Sequence, residues 1–254
     1  MVEHDSALAT NRDGWNRIAK HFHGSTALPE YGPLAPTEDM LRLLDRTSGV
    51  CALELGCGSG HSLLYLAERG ARELWGLDLS STQIAFAEET LRPFTSRVRL
   101  VESPMEVNPG IPQCHFDLVF SIYGLGWTTD LPQTMSHVSA YLRPGGSFIV
   151  SGEHPAYGCL DWNGKEYTVA RPYSAEGPCE HASWKGVPIV IHRHTLATFV
   201  RELVRCGLQI EALVETPINL AAAKEEHRDP ARWYSVPRAQ TMPTTLIIKA
   251  RKAL

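Results

Sequence analysis

Residues 51–60 read CALELGCGSG, and this stretch decides how the chain folds. Cys51 to Leu55 is an apolar run interrupted only by Glu54, which is typical of a strand buried in a parallel sheet. Glycines then occupy every second position, at Gly56, Gly58 and Gly60. The following residues, SLLYLAER, place leucines at helical spacing. The order strand, glycine turn, helix brings bare backbone N–H groups to the start of a helix, where they can face a ligand.

An acidic residue follows at the distance expected for a ribose site. The run Leu74–Leu77 ends in Asp78, eighteen residues past Gly60, and an acid about 20 residues beyond such a turn meets ribose hydroxyls. The glycine spacing is GxGxG, whereas dinucleotide-binding dehydrogenases carry GxGxxG. A Rossmann dehydrogenase is therefore the less favoured alternative on this fold.

Composition narrows the class of protein. The chain has 254 residues, 43% of them hydrophobic and 20% charged, as in an ordinary globular protein. A net charge of −4 gives no basic surface for nucleic acid, and no apolar stretch is long enough for a membrane span. Residues 1–30 carry Glu3, Asp5 and Glu30 and no long apolar run, so we expect no signal peptide. We expect a cytoplasmic protein, monomeric or homodimeric.

The six cysteines are scattered and form no CxxC pair. The four in or beside the predicted nucleotide fold are expected to be small buried hydrophobic residues, in a reducing compartment and without a metal site. Cys159 and Cys179, with His181 nearby, are a weak alternative as metal ligands.

Apolar runs alternate between the periods of strands and helices along most of the chain. Strands are predicted at 51–55, 73–78, 97–102, 116–121, 147–152, 208–215 and 244–251. Helices are predicted at 61–69, 82–92, 130–141 and 192–207. This alternation predicts an α/β fold with a mostly parallel sheet and helices on both faces. A ligand should lie at the carboxyl ends of the strands, near the switch in strand order.

Two further segments are predicted to cover the sheet. Residues 1–45 form an N-terminal helical cover, with one or two helices in 1–24 and another from Thr37 to Leu44; a plain packing role is the alternative. Residues 46–254 form the main domain, with an insertion at 153–191 rich in glycine, proline and aromatic residues. Its aromatic content favours an ordered cover over a disordered loop. A second irregular stretch, 217–243, precedes the last strand.

Four segments together resemble the class I S-adenosylmethionine-dependent methyltransferases: ELGCGSG (54–60), LDLS (77–80), FDLVFS (116–121) and LRPGGSFIV (142–150). IYGLGWTTDL (122–131) followed by SGEHP (151–155) looks like a subgroup acting on small molecules. The resemblance implies a Rossmann-like, seven-stranded sheet whose last strand is antiparallel. It also implies S-adenosylmethionine as cofactor and methyl transfer to a small molecule.

The resemblance also implies which residues hold the cofactor. Those on the first two strands and their turns are Glu54, Gly56, Cys57, Gly58, Gly60, Asp78, Leu79 and Gln83. The loop after the third strand contributes Ser103, Pro104, Met105 and Glu106; the acid that the family usually places here is replaced by Pro104. The end of the fourth strand contributes Ser121, Ile122 and Trp127.

The substrate side is predicted from polar and aromatic residues near strand ends. His154 is the main candidate for a general base, since an unperturbed imidazole suits that role at neutral pH; a histidine that only supports a turn is the alternative. His23 and Tyr31 are weaker catalytic candidates. The predicted substrate-binding residues are Trp15, Tyr31, Tyr123, His154 and Tyr173, with core packing as the alternative for Tyr123 and Trp127.

The expected chemistry is in-line displacement at the sulfonium methyl by an oxygen, nitrogen, sulfur or carbon nucleophile. Alignment and desolvation can supply most of the acceleration, about 7–11 kcal/mol. Two alternatives remain open. One is chemistry on the cofactor's aminobutyrate arm: cyclisation to azetidine-2-carboxylate with release of methylthioadenosine, or aminocarboxypropyl transfer. The other is a non-catalytic S-adenosylmethionine-binding protein.

Overall fold

The computed structural model describes residues 4–215 and 218–254. The α-helices are α1 (His4–Ile18), α2 (Glu38–Leu41), α3 (His61–Glu68), α4 (Ser81–Thr90), α5 (Leu131–Tyr141), α6 (Leu196–Arg205) and α7 (Val236–Thr241). The strands are β1 (Cys51–Leu55), β2 (Glu73–Asp78), β3 (Val98–Glu102), β4 (Phe116–Ile122), β5 (Leu142–Glu153), β6 (Leu160–Trp162), β7 (Tyr167–Val169), β8 (Gly177–Trp184), β9 (Val187–Arg193), β10 (Leu208–Val214) and β11 (Thr245–Lys252).

Seven strands form one sheet in the order β10-β11-β5-β4-β1-β2-β3. β1 pairs in parallel with both β2 and β4, while β11 runs antiparallel between β5 and β10. The strand order reverses at β1 and β4, so their carboxyl ends border the crevice where such sheets bind ligands. The predicted α/β fold with its antiparallel last strand is confirmed.

β1 is buried on both faces of the sheet. Cys51, Leu53 and Leu55 belong to one hydrophobic core, and Ala52 belongs to the core on the opposite face. All five residues of β1 are buried, as its nearly continuous apolar run predicts. This double burial fixes the strand, and with it the glycine turn that follows.

Several predicted boundaries differ from the structure. α2 stops at Leu41 because Arg42 adopts a left-handed conformation with φ 52°. The helix predicted at 192–207 begins at Leu196, since residues 192–193 complete β9 and the side chain of Thr195 caps the helix. The predicted N-terminal helix includes residues 1–3, and the irregular stretch 217–243 begins at Pro217; these positions lie outside the described residues.

The insertion after β5 is more regular than the sequence predicts. It contains two antiparallel hairpins, β6–β7 and β8–β9. α1 packs on β9, where the Asn11 side chain donates to the carbonyl of Val190 and accepts from its N–H, both at 2.8 Å. The side-chain amide thus completes the hydrogen bonding of an edge strand. Within residues 4–215 and 218–254, no helix combines the length and apolar character needed to cross a membrane.

Candidate cofactor and acceptor site

The three glycines of the turn after β1 have different local requirements. All have positive φ: 70° at Gly56, 50° at Gly58 and 78° at Gly60. A Cβ at Gly56 would lie 2.9 Å from the Cα of Gly124, and one at Gly60 would lie 3.0 Å from Leu91 Cδ1. At Gly58 the nearest atom would be Gln83 Oε1, at 3.9 Å. Packing therefore explains two of the glycines, whereas Gly58 borders open space that a ligand can occupy.

Asp78 at the end of β2 is joined directly to this turn. Its Oδ2 accepts from the backbone nitrogen of Gly58 at 2.8 Å, and its Oδ1 accepts from that of Ser80 at 2.9 Å. Burial raises the pKa of Asp78 to about 6, and backbone hydrogen bonds from Ser80, Gly58 and Leu79 oppose the rise. Each carboxylate oxygen keeps accepting capacity for a further donor, such as a ribose hydroxyl.

Two buried oxygens beside the turn lack partners within the described residues: Glu54 Oε2 and Gln83 Oε1. Both side chains are buried, and burial raises the pKa of Glu54 well above its usual range, with Asp78 acting in the same direction. An unsatisfied buried polar group costs about 1–3 kcal/mol. These acceptors fit a ligand rich in N–H and O–H donors, as S-adenosylmethionine is with its amino group, adenine and ribose. Of the other two residues predicted to hold the cofactor here, Cys57 is buried and Leu79 is half-buried.

The N-terminal segment lies over the glycine turn. The backbone nitrogens of Gly24 and Leu28 donate to the hydroxyls of Ser59 and Ser62, at 3.0 and 3.1 Å. At the end of β2, Ser80 Oγ donates to Oδ1 of Asn16, which lies in α1, at 2.7 Å. These bonds attach the segment to both strand ends that border the cofactor site.

His23 does not reach the strand ends where methyl transfer is expected. It is exposed, and its ring meets the edges of His61 and Phe86, at the start of α3 and on α4. The structure therefore does not bring His23 to a catalytic position.

The loop after β3 is hydrogen-bonded to the segment that follows β4. Glu106 Oε1 accepts from Thr128 Oγ1 at 2.7 Å and from the backbone nitrogen of Thr129 at 2.5 Å. Ser103 Oγ donates to the Pro104 carbonyl at 3.2 Å, and Met105 packs half-buried against the core. One oxygen of Glu106 is thus committed to positioning the loop.

The end of β4 carries a polar contact and an aromatic cluster. Ser121 Oγ donates to the carbonyl of Leu55 at 2.7 Å, and Ile122 is buried. Trp127 lies in a cluster with Trp15, Phe22 and Trp184, whose neighbouring ring centroids are 4.9–5.8 Å apart. The cluster joins α1, the β8–β9 hairpin and the segment after β4, so Trp15 and Trp127 both brace the covers.

Three predicted residues have other roles in the structure. Tyr31 is fully buried and donates to Glu38 Oε2 at 2.6 Å, so its hydroxyl cannot contact a substrate. Tyr173 contacts the first residue of α6: its hydroxyl accepts from the backbone nitrogen of Leu196 at 2.9 Å. His154 is buried, and both ring nitrogens are occupied: Nε2 lies 2.8 Å from Glu215 Oε1, and Nδ1 accepts from the Ala156 nitrogen. The base assignment for His154 lacks the free nitrogen it requires, and the turn-supporting alternative fits.

The residue before His154 faces the crevice instead. Glu153 is exposed at the carboxyl end of β5, and its Oε2 accepts from Trp233 Nε1 at 2.5 Å and from the Tyr234 hydroxyl at 3.1 Å. Surrounding groups raise the pKa of Glu153 by removing part of its water, and these hydrogen bonds oppose the rise. Sequence reasoning missed this residue. Its signal was present in SGEHP, since Glu153 also ends a strand at the expected edge.

Tyr123 belongs to the same group. Its hydroxyl shares a hydrogen bond of 2.7 Å with Thr245 Oγ1, and Thr245 is the residue of β11 that pairs with Glu153. Tyr123 has φ 56°, which turns the chain sharply at the end of β4. The ends of β4, β5 and β11 therefore place Tyr123, Thr245 and Glu153 side by side.

The opposite end of the sheet has charged residues that pair among themselves. A cavity of about 130 Å³ is lined there by residues including Asp45, Asp117, Arg143 and Arg251; Arg143 pairs with Asp117, and Arg251 with Asp45. Nearby, donor atoms of Cys51, Glu73 and His115 lie within 4.8 Å of one another, and the Arg72 guanidinium lies 3.0 Å from Cys51 Sγ. A guanidinium on the sulfur opposes a metal cation there. We place the functional site at the carboxyl ends.

Comparisons with known proteins identify the family of the chain. A protein-family model described as "Methyltransferase domain" matches residues 52–146. An uncharacterized protein of Haemophilus influenzae is 30% identical over 226 residues, which cover 84% of this chain and 85% of that protein. The malonyl-[acyl-carrier protein] O-methyltransferase of Pectobacterium atrosepticum is 32% identical over 109 residues, 43% of this chain and 41% of that enzyme.

A solved S-adenosylmethionine-dependent methyltransferase from Mesorhizobium loti superposes with a TM-score of 0.70 at 28% identity, covering 84% of this chain and 96% of that one. The sheet order, the matched domain with its glycine turn, and this likeness over 84% of the chain agree. The chain belongs to the class I S-adenosylmethionine-dependent methyltransferases, and S-adenosylmethionine is its cofactor.

Proposed function

We propose that this enzyme methylates a small molecule bound at the carboxyl ends of β4 and β5, with the cofactor held at the ends of β1 and β2. The observation that carries the proposal is that two groups of residues lie at the same edge of the sheet, at the carboxyl ends of its strands. One is the turn at Gly58 with the unpartnered oxygens of Glu54 and Gln83; the other is Glu153 with its aromatic neighbours. β4 lies between β1 and β5 in the sheet, so the two groups lie at the carboxyl ends of strands that are separated by one strand.

A small acceptor is supported by the segments around the crevice. The N-terminal segment is bound to the glycine turn, and residues 218–243 contribute Trp233 and Tyr234 to Glu153. A net charge of −4 does not favour a nucleic acid. All six cysteines are free, which supports the reducing cytoplasm as the proposed compartment.

Each group has a defined part in the reaction. When bound, S-adenosylmethionine supplies a methyl group on a positively charged sulfur. Asp78 would hold the ribose hydroxyls, and Glu54 and Gln83 would accept from the cofactor's donors. Tyr123 and the covers exclude water from the acceptor, and Glu153 is placed to take up a proton that the acceptor releases. Holding the reactants in line is the larger effect, because a general base typically adds only about 10²–10⁴-fold.

The test uses methyl-labelled S-adenosylmethionine. The protein is incubated with the cofactor alone, with a dialysable extract of bacterial metabolites, and with the retained macromolecules. We expect S-adenosylhomocysteine and labelled product only with the dialysable fraction. Methylthioadenosine from the cofactor alone would show arm chemistry instead, and label in the macromolecules would overturn the small-molecule acceptor.

A further inference from the structure

Resting on that proposed function, we propose that the acceptor is a small amine whose nitrogen lies against the outward carboxylate oxygen of Glu153. Within residues 4–215 and 218–254, both hydrogen bonds to this carboxylate fall on Oε2. The donors are an indole N–H and a phenol, so no hydrogen bond from those residues falls on Oε1, and Arg238 and Arg171 act on the carboxylate's charge without an ion pair to it. A carboxylate held in this way binds an ammonium through a short, charge-assisted hydrogen bond. Glu153 would then take one proton from the ammonium, because only the neutral amine has the lone pair that can attack the cofactor's methyl group.

Aromatic rings surround the carboxylate. Tyr157 stacks on Tyr234 with centroids 5.9 Å apart, and Trp233 meets Tyr157 edge-on at 6.1 Å. The hydroxyl of Tyr157 donates to the Trp233 carbonyl at 2.5 Å, which fixes the segment that carries both partners of Glu153. Arg238 lies over the rings of Tyr157 and Trp233, so within the described residues Tyr234 is the ring of this group that has no cation over it and can face a ligand cation.

The nearby arginines hold the chain segments around Glu153. The buried guanidinium of Arg238 donates to the carbonyls of Tyr157 and Leu160, at 3.0 and 2.8 Å, and lies over the rings of Tyr157 and Trp233. Arg171 donates to the carbonyl of Gly158 at 2.5 Å. Arg238 is buried and Arg171 is half-buried, and the Nε atom of each has no hydrogen-bond partner within the described residues, whereas Glu153 is exposed. The charged group that a ligand meets first from solvent is therefore the carboxylate.

Calorimetry on protein saturated with S-adenosylhomocysteine tests the inference. The probes are tyramine and phenethylamine, each compared with its carboxylate counterpart, 4-hydroxyphenylacetate and phenylacetate. We expect at least one amine to bind more than about tenfold tighter than its counterpart, from the loss of one charge-assisted hydrogen bond. Glu153→Gln should remove that preference while the affinity for S-adenosylhomocysteine stays unchanged.

Two further variants sharpen the test. Gly158→Ala keeps the charge but places a Cβ 3.0 Å from Glu153 Oε1, and should weaken amine binding in a folded protein. Glu180→Gln removes an equal charge from the exposed face of β8 and should change nothing. Tighter binding of the acids, binding of neither probe class, or full amine affinity in Glu153→Gln would overturn the inference. Failure to bind S-adenosylhomocysteine would instead overturn the proposed function, so the two failures are distinguishable.

Discussion

The carboxylate of Asp78 accepts a hydrogen bond from the backbone nitrogen of Gly58, with 2.8 Å between Oδ2 and the nitrogen. The bond joins the end of β2 to the turn after β1, so the acid and the glycines form one unit. The same residue pair borders the open space where a cofactor fits. Changes at either residue should therefore affect cofactor binding.

Two alanine variants in the glycine turn should separate packing from ligand binding. Gly56→Ala and Gly58→Ala both force a side chain into a left-handed conformation, at a cost of about 1–2 kcal/mol. At Gly56 the added Cβ also meets the Gly124 backbone, so the free energy of unfolding should fall further. Gly58→Ala should keep more stability but lose S-adenosylhomocysteine affinity. Urea unfolding and calorimetry measure both; full affinity in Gly58→Ala would refute the assignment of this space.

The Gln83 side chain should lower the stability of the cofactor-free protein and strengthen the binding of S-adenosylhomocysteine. Its buried Oε1 has no partner among the described residues, and such a group costs about 1–3 kcal/mol. Gln83→Leu should leave the cofactor-free protein as stable or more stable, and weaken S-adenosylhomocysteine binding by about tenfold or more. A destabilised variant with normal affinity would show that Gln83 serves the fold alone.

Cofactor binding should depend on pH through Asp78. Burial raises its pKa from 3.8 to about 6, so the folded protein without cofactor holds this proton more tightly than the unfolded chain does. The contribution of Asp78 to the free energy of unfolding therefore falls as pH rises from about 4 to 6. Ribose hydroxyls favour the ionised form. Affinity should therefore increase as pH rises through about 6 and then level off. Because Glu54 shifts in the same direction, calorimetry should include Asp78→Asn, in which the change near pH 6 should disappear.

His154→Ala should affect stability more than catalysis. The imidazole bridges Glu215 and the turn at Ala156, so its loss should lower the free energy of unfolding by about 1–3 kcal/mol. Glu215→Gln, which keeps an acceptor for Nε2, should cost less. Single-turnover rates on cofactor-saturated, folded protein should stay near the wild-type value. A loss of about 100-fold, at the lower range for a general base, would restore the catalytic assignment.

The cofactor side of the fold could be predicted because its signals are local. The apolar run of β1, the alternate glycines and the acid after β2 lie within 28 residues, from Cys51 to Asp78. Burial on both faces of the sheet explains the continuous run. The start of the helix predicted at 192 was wrong because VPIVIHR, which forms β9, directly precedes the helical pattern without a glycine or proline between them.

The acceptor side depends on contacts between distant segments. Glu153 and His154 are adjacent in sequence, and the sequence does not show which of them faces the crevice. In the structure Glu153 faces it, whereas the backbone nitrogen of His154 donates to the Thr244 carbonyl. Trp233 lies 80 residues from Glu153, in a segment without strand or helix periodicity. Tyr31 looked accessible in a loop because the burial of its hydroxyl on Glu38 has no local sequence signal.

The most direct test is the binding of S-adenosylhomocysteine to wild type, Asp78→Asn and Asp78→Ala, measured by calorimetry at neutral pH on proteins shown to be folded by thermal unfolding. The wild type should bind. Asp78→Ala should bind at least about tenfold more weakly, because hydrogen bonds to a charged group are worth about 1.5–3 kcal/mol, and Asp78→Asn should lie between the two. Unchanged affinity in folded Asp78→Ala, or no binding by the wild type, would contradict the assignment of the cofactor site.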